Sequence, residues 1–219
     1  MGDAQDQTTT RADTSRTVAF SDGIFAIIIT LLVLDLQQPE VEPGRLLSGL
    51  LRQWPTYLAY LTSYLYVAVV WLNHKGAFRR IGSTDWGLHW VNFGVLFTTA
   101  LLPFPTAVIS DTIREGNLAD EQTAVALYAL IGALLCVSWL AFYYYLSLHP
   151  ELIAEDAEAR HFQRDRTKAI VGIVLYAAAG VLGYLISPLV ALIIFLALPI
   201  FYALTSEGLS KLPAVLHRR

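Results

Sequence analysis

Six apolar blocks, separated by short polar segments, set the pattern of the chain. The first block is polar up to Asp22 and then apolar from Gly23 to Leu34, except at Thr30. An apolar run of about 18 or more residues predicts a membrane-spanning helix. The first run is shorter and needs residues 17–20 to reach that length. The pattern predicts an all-α membrane protein with six spans, near residues 17–36, 54–74, 86–109, 123–148, 169–186 and 189–204.

Two prolines, Pro103 and Pro105, interrupt the third block. A proline inside a helix removes a backbone donor and clashes with the preceding turn. We expect this helix to kink or end there, and we favour a helix end at the membrane interface over a gating kink. The acidic segment 111–121 is then predicted to be a loop, and the charged segment 149–168 a short interfacial helix or loop.

Composition supports a membrane protein, because 55% of the 219 residues are hydrophobic and only 15% are charged. A soluble domain carries about 25% charged residues. Residues 1–15 are polar and lack the basic start and cleavage site of a signal peptide, so we expect a mostly disordered tail. The predicted domains are this tail, a membrane domain over 16–206 and a second cytoplasmic tail over 207–219.

Few residues offer chemistry outside the first half of the chain. Cys136 is the only cysteine, which excludes an intrachain disulfide and a cysteine-based metal site. Phosphate-loop, dinucleotide and metalloprotease motifs are absent from the sequence. The sequence therefore favours a protein that is not an enzyme, with no cofactor and no nucleic-acid partner.

The basic residues are distributed unevenly between the two predicted sides of the membrane. Six spans place both termini on one side, together with twelve of the 15 Lys and Arg residues. The other side has Arg45, Arg52 and Arg114. Because cytoplasmic loops carry the excess of Lys and Arg, both termini are predicted to be cytoplasmic. A count of five or seven spans would scatter this pattern.

The first block carries an apolar stripe. Ile27, Leu31 and Leu34 fall at i, i+4 and i+7 and share one helix face, with Thr30 beside them. Such stripes commonly face lipid or neighbouring helices, but a symmetric assembly can point one at a shared axis. The Thr30 hydroxyl has two interpretations, a weak pore ligand or a bond back to the Ala26 carbonyl.

Three motifs in the first half of the chain resemble one known family. The segment Arg16-x-x-x-Phe20-Ser21-Asp22-Gly23, followed by the apolar run, resembles the first-helix signature of the transmembrane protein 175 family. Trp71-x-x-His74 is similar to its tryptophan–histidine motif, although Lys75 stands where many members have a second histidine. Trp90-x-Asn92 and the segment 101–106 (LLPFPT) are similar to its third-helix signature. Blocks four to six match only in hydropathy.

This resemblance implies a potassium-permeable cation channel in the cell membrane. The family lacks the TVGYG carbonyl filter, and here Gly183-Tyr184 has no Thr-Val-Gly context. A single six-span copy implies a homotetramer in the lipid bilayer, whose first helices line a pore for potassium ions. The family's constriction maps onto Ile27, with Thr30 near it and Leu31 and Leu34 deeper. A hydrophobic constriction can gate by dewetting, and selectivity for potassium over sodium is expected to be modest.

A polar network is expected at the start of the pore helix. A carboxylate inside a span is costly without partners, so we expect Asp22 and Ser21 to bond to neighbouring helices. The candidate residues of this network are Arg16, Phe20, Ser21, Asp22, Trp71, His74 and Asn92. At the other end of the helix, Asp35 is the candidate for an outer vestibule that concentrates cations, although acidic loops are also ordinary solvated surface.

Two other transport functions remain as alternatives. A narrow pore that alternates between wet and dry states can pass protons, so a proton-leak channel is the first. A secondary transporter is the second, and it would have discontinuous helices and internal repeats, which the sequence does not suggest.

Overall fold

The computed structural model describes residues 2–154 and 159–205, and this part of the chain is an all-helical bundle. It contains eight α-helices: α1 Gly2–Leu31, α2 Leu46–Arg52, α3 Trp54–Phe78, α4 Trp86–Ala100, α5 Pro103–Glu115, α6 Leu118–Leu148, α7 Ala159–Leu185 and α8 Pro188–Thr205. Short 3-10 helices cover Leu32–Asp35 and Pro150–Leu152. The prediction of an all-α fold is confirmed.

Four segments of the described chain are long and apolar enough to cross a membrane: Asp13–Asp35, Trp86–Glu115, Leu118–Leu148 and Phe162–Leu185. α8 adds a shorter apolar segment, Pro188–Ala203. α3 has 25 residues, but its tyrosines and the polar residues near its end lower its hydropathy. The chain is therefore a membrane protein, while a count of six spans depends on α3 and α8.

Three predicted boundaries differ from the structure. α7 begins at Ala159, so the second half of segment 149–168, expected to be a short interfacial helix or loop, belongs to a long helix. α1 begins at Gly2, so residues 2–15 continue the helix where we expected a disordered tail. No proline or further glycine interrupts them, so the backbone hydrogen bonds can propagate. The tail over 207–219 lies outside the described residues.

The break in the third block is present, but the helix resumes after it. α4 ends at Ala100 and α5 begins at Pro103, which suits the first helical position because its missing N–H would be unpaired there anyway. α5 runs to Glu115, and Gly116 ends it with φ of 72°. The prediction of a loop over 111–121 is therefore wrong, since only a short turn separates α5 from α6.

The centre of the bundle is the pair α6 and α7, which pack through small residues. Gly132 of α6 lies directly against the buried Tyr176 ring, and Gly180 of α7 lies against Ala129. Small residues let helix backbones approach closely in a membrane, where packing rather than burial from water drives association. α1 packs mainly against α3 and α4.

The loops at one end of the bundle are tied together. The loop between α3 and α4 meets the segment after α6, where Gly82 N–H donates to the Leu152 carbonyl at 2.8 Å. Asp165 of α7 accepts from Arg80 at 3.1 Å and from Lys168 at 2.9 Å. These contacts fix the end of α3, which carries part of the candidate site, against the start of α7.

Candidate functional site

α1 has one buried face and one exposed face. Phe25, Ile28 and Leu32 are almost completely buried against the bundle. Ile27 and Leu31 point the other way and are 58% and 54% exposed in the single chain. Both faces are apolar, so only the packing against α3 and α4 distinguishes them. The predicted stripe is therefore an exposed apolar surface of the single chain.

The end of the stripe leaves regular helix. Leu34 is 67% exposed and lies in the 3-10 helix Leu32–Asp35. Thr30, one turn earlier, is exposed, and its hydroxyl bonds to the carbonyls of Ala26 at 3.0 Å and Ile27 at 2.9 Å. This is the back-bonded arrangement that we considered for Thr30. It uses the hydroxyl hydrogen and leaves oxygen lone pairs on the exposed face.

In the second half of α1, side chains from three helices form two adjacent sets of hydrogen bonds that we call the polar anchor: Ser21 and Asp22 of α1, Trp71 and His74 of α3, and Asn92 of α4. The Trp71 indole N–H donates to Asp22 Oδ1 at 2.8 Å. The Asn92 amide donates to Ser21 Oγ at 3.0 Å, and its Oδ1 lies 2.8 Å from His74 Nε2. The structure thus brings together five of the predicted residues.

Three members of the polar anchor are buried, and aromatic rings surround His74, while Asp22 and Trp71 are half-buried. Ser21, His74 and Asn92 are each at most 1% exposed. The His74 ring stacks on Phe78 at 4.4 Å between centroids and meets Phe25 edge-on at 5.2 Å. Because Asn92 Oδ1 only accepts, His74 carries its proton on Nε2 in this arrangement. Hydrogen bonds in such surroundings are costly to leave unmade.

Two predicted members of the network are placed differently. Arg16 is exposed and makes no hydrogen bond or ion pair to a described side chain. Phe20 is exposed and meets Phe93 of α4 edge-on, with centroids 5.9 Å apart. Lys75, which departs from the family motif, lies over the Trp71 ring at 4.9 Å. It adds a cation–π contact beside the anchor.

Beside the C-terminal end of α1 lies a polar cavity of about 320 Å³, which we call the outer cavity. Its wall combines the end of α1 and the following loop with the first half of α3 and with α5. The polar residues that line it are Asp35, Gln37, Gln38, Glu40, Gln53, Thr56, Tyr60, Ser63, Thr106, Ser110, Asp111 and Arg114. Of these, Asp35 was predicted as a vestibule residue.

Sequence reasoning missed the α3 and α5 walls of the outer cavity. Thr56, Tyr60 and Ser63 fall at i, i+4 and i+7, and Thr106 and Ser110 at i and i+4. This spacing signals a polar stripe inside two otherwise apolar helices. Among the residues that the structure describes, no group of three His, Cys, Asp or Glu side chains is placed to hold a metal ion directly.

Comparison with known proteins identifies relatives of this chain. Residues 16–103 match the family described as endosomal/lysosomal potassium channel TMEM175. A protein from Streptomyces collinus named as a potassium channel is 33% identical over 178 residues, which cover 81% of this chain and 85% of that protein. The human endosomal/lysosomal proton channel TMEM175 is 28% identical over 166 residues, covering 75% of this chain and 32% of the human protein.

A solved structure gives the same result for the fold. The crystal structure of a lysosomal potassium-selective channel TMEM175 homologue from Chamaesiphon minutus superposes with a TM-score of 0.77. The two sequences are 31% identical, and the match covers 90% of this chain and 99% of the other. Together with the relative from Streptomyces, which exceeds 30% identity over most of both chains, this settles the family. The chain belongs to the TMEM175 family.

Proposed function

We propose that this chain forms a potassium-permeable cation channel in the cell membrane. The channel is a homotetramer of six-span subunits, and α1 of each subunit lines the pore. The observation that carries the proposal is the exposed apolar stripe of α1, opposite the face that packs on its own subunit. Relatives that are named as potassium channels support the same function.

The constriction in this proposal is formed by four copies of Ile27, with Leu31 and Leu34 further along the pore. A ring of branched apolar side chains narrows a pore until water leaves it, which closes the path to ions. Opening requires a wider ring. Potassium holds its water shell less tightly than sodium, so partial dehydration favours potassium to a modest degree. Thr30 offers its free hydroxyl lone pairs close to this ring.

The polar anchor holds α1 in position in this proposal. Asp22 and Ser21 bond to α3 and α4 of the same subunit, so the opposite face of α1 is directed away from the bundle. Asp35 follows the stripe at the outer end and attracts cations there. In this proposal Arg16 lies at the membrane interface and Phe20 packs beside the polar anchor. Neither side chain takes part in the hydrogen bonds of the anchor.

The proposed topology places both termini in the cytoplasm, with residues 16–206 as the channel domain and residues 1–15 and 207–219 as cytoplasmic extensions. The skew of basic residues toward the terminal side supports it. The ligand in this proposal is the permeant potassium ion, and the partners are three further copies of the chain and the lipid bilayer.

The first test is single-channel recording of the purified protein in planar bilayers, with potassium on one side and sodium on the other. We expect unitary currents that reverse toward the potassium equilibrium potential. Ile27→Asn replaces the constriction with a wettable ring, so conductance rises and selectivity falls together. Ile200→Asn is the matched control, because Ile200 on α8 is also 59% exposed but lies on another helix.

The outcome that contradicts the channel is an absence of unitary currents in protein of tetrameric mass, measured by native mass spectrometry. Equal effects of Ile27→Asn and Ile200→Asn would contradict the pore assignment of α1 while leaving a channel in place. A protein that is folded but monomeric would contradict the assembly. These three results separate the parts of the proposal.

Proton conduction is the second candidate function. The observation that favours it is the name of the human relative, an endosomal/lysosomal proton channel. A pH gradient in symmetric potassium distinguishes the two, since a proton pathway shifts the reversal potential and a potassium pathway does not. A secondary transporter would instead give saturable flux coupled to a second solute.

A further inference from the structure

α2 is a short helix whose two faces differ in polarity. Its leucines fall at positions i, i+1, i+4 and i+5, so they share an arc of about 140° at about 100° per residue. These leucines are Leu46, Leu47, Leu50 and Leu51. The rest of the helix consists of Ser48, Gly49 and Arg52. This arrangement is that of an amphipathic helix.

The leucine face of α2 points away from the rest of the chain. Leu47 and Leu51 are 71% and 67% exposed, and the other two leucines are also exposed. The face with the glycine is covered instead, because a Cβ at Gly49 would collide with Val41 and crowd Pro39 of the preceding loop. α2 therefore rests on its own loop and presents a continuous apolar patch outward. Such patches mark contact surfaces.

The surroundings of α2 identify the contact as lipid. The chain reaches α2 soon after the membrane-crossing segment Asp13–Asp35, which places α2 near a surface of the bilayer. Arg45 directly precedes the helix and Arg52 ends it, both on the side away from the leucines. Their long side chains can reach phosphate groups while the leucines lie deeper. Trp54, which is 58% exposed, follows at the start of α3, and tryptophan is enriched at membrane interfaces.

We propose that α2 is an interfacial anchor, which lies in the plane of the membrane with its leucine face in the acyl-chain boundary of the nearer lipid leaflet. An apolar face, flanking arginines and a neighbouring tryptophan are the composition of helices that lie in this plane. The loop that packs on Gly49 is thereby held at the depth of the headgroups. The proposal rests on the membrane fold and does not depend on ion conduction, so its test uses no current.

The experiment is electron paramagnetic resonance of a nitroxide label at Leu47→Cys, in protein reconstituted into liposomes of phosphatidylcholine and phosphatidylglycerol. Cys136→Ala removes the only other cysteine. Oxygen dissolves among acyl chains and a nickel chelate stays in water, so the ratio of their collision rates with the label reports its depth. We expect oxygen to dominate at Leu47→Cys, with a depth of about 5–10 Å below the headgroup boundary. Leu51→Cys should give the same result one turn along the helix.

The matched control is Ser48→Cys, because Ser48 is exposed on the same helix but lies outside the leucine arc. Its label should collide mainly with the nickel chelate. Size-exclusion chromatography confirms that each variant is folded, and Leu51→Cys carries the test if Leu47→Cys is not. Equal collision ratios at Leu47→Cys and Ser48→Cys would place the leucines in water and overturn the anchor. Low collision rates with both reagents at Leu47→Cys would show that protein, such as a second copy of the chain, covers the face, and would overturn the assignment to lipid.

Discussion

Asn92 joins three helices through one side-chain amide. Its amide nitrogen donates to Ser21 of α1 and its oxygen faces His74 of α3, while its own backbone belongs to α4. Removing the amide leaves His74 Nε2 buried without a partner, which costs about 1–3 kcal/mol. It also removes the bond that Ser21 Oγ accepts, although the Ser21 hydroxyl still donates to the Thr17 carbonyl at 2.9 Å. The amide is therefore a larger contributor to the placement of α1 than any single apolar contact around it.

Asn92→Ala should lower the free energy of unfolding by about 2–4 kcal/mol. The matched control is Asn73→Ala, because Asn73 lies in α3 one residue before His74 and makes no hydrogen bond among the described contacts. Thermal unfolding of both variants in detergent measures the difference. If the two variants lose equal stability, the polar anchor does not act through Asn92.

Asp22 tests the same anchor from the α1 side. Asp22→Ala removes the acceptor of the Trp71 indole, so we expect loss of the folded tetramer or of its conductance. Asp22→Asn keeps a carbonyl oxygen at that position and should restore much of the loss. Size-exclusion chromatography and bilayer recording report the two effects. Intact tetramers of Asp22→Ala with normal conductance would rule out the anchoring role.

Asp85 gives a dependence on pH. Its carboxylate caps α4 by accepting from Leu88 N–H at 2.7 Å and also accepts from the Tyr145 hydroxyl at 2.5 Å. Burial opposes ionisation, but these hydrogen bonds outweigh it and lower the pKa of the Asp85 carboxyl. A carboxyl whose pKa is lowered by folding stabilises the fold above its unfolded pKa. That stability is lost as pH falls through the folded pKa.

Asp85→Asn keeps a good helix cap but removes the charge that strengthens both hydrogen bonds, so it should be less stable than the parent protein at neutral pH by no more than about 1 kcal/mol. The difference should shrink as pH falls below the ordinary Asp pKa of about 3.9, because the carboxyl of the unfolded chain takes up its proton before that of the folded chain. Thermal unfolding of both proteins from neutral to acidic pH tests this prediction, and Asp120→Asn, at an exposed carboxylate, is the control. A difference that is independent of pH would show that charge is not the cause.

At the scale of elements, the sequence predicts helices more reliably than their faces. Ile27 and Leu31 lie opposite Phe25 and Ile28 on α1, yet all four are apolar, and lipid accepts either pair. Only the tertiary packing of α3 and α4 selects the buried face. Helix boundaries were also mistaken where a proline begins a helix, as Pro103 does for α5.

The candidate site also has one part that the sequence predicts and one part that it does not. Partners of Asp22 could be anticipated because residues at one end of their spans must lie at one depth, and a buried carboxylate requires donors. The outer cavity could not be anticipated, because it depends on α3 and α5 meeting over long sequence separation. Ser63 in particular has no local feature that distinguishes it from a serine bonded within its own helix.

The contact between α6 and α7 makes a prediction about glycine. A Cβ at Gly132 would collide with the Tyr176 ring, which is buried and cannot move aside easily. Gly132→Ala should therefore destabilise the protein by about 1–3 kcal/mol. Gly76→Ala is the control, because a Cβ at this helical position meets nothing within 4 Å. Alanine there should instead stabilise α3 by about 0.5–1 kcal/mol. Equal changes in thermal unfolding would contradict the close packing.

For the whole molecule, the number of spans depends on whether α3 crosses the membrane. α4 and α5 together form one segment that is long and apolar enough to cross, and α6 forms a second. If α3 also crosses, three spans separate the loop before α2 from the start of α7, and the two lie on opposite sides. If α3 lies along the surface, only two spans separate them, and they lie on the same side.

Gln38→Cys and Gln163→Cys decide between these arrangements, because both glutamines are exposed and receive the same substitution. The variants are made with Cys136→Ala, which removes the only other cysteine. We expect a membrane-impermeant maleimide to label Gln38→Cys in intact cells and to label Gln163→Cys only after lysis. This follows from the basic residues near Gln163, which the positive-inside rule places in the cytoplasm. Labelling of both variants in intact cells would mean that α3 does not span. Labelling of Gln163→Cys alone would invert the topology, so the outer cavity would face the cytoplasm.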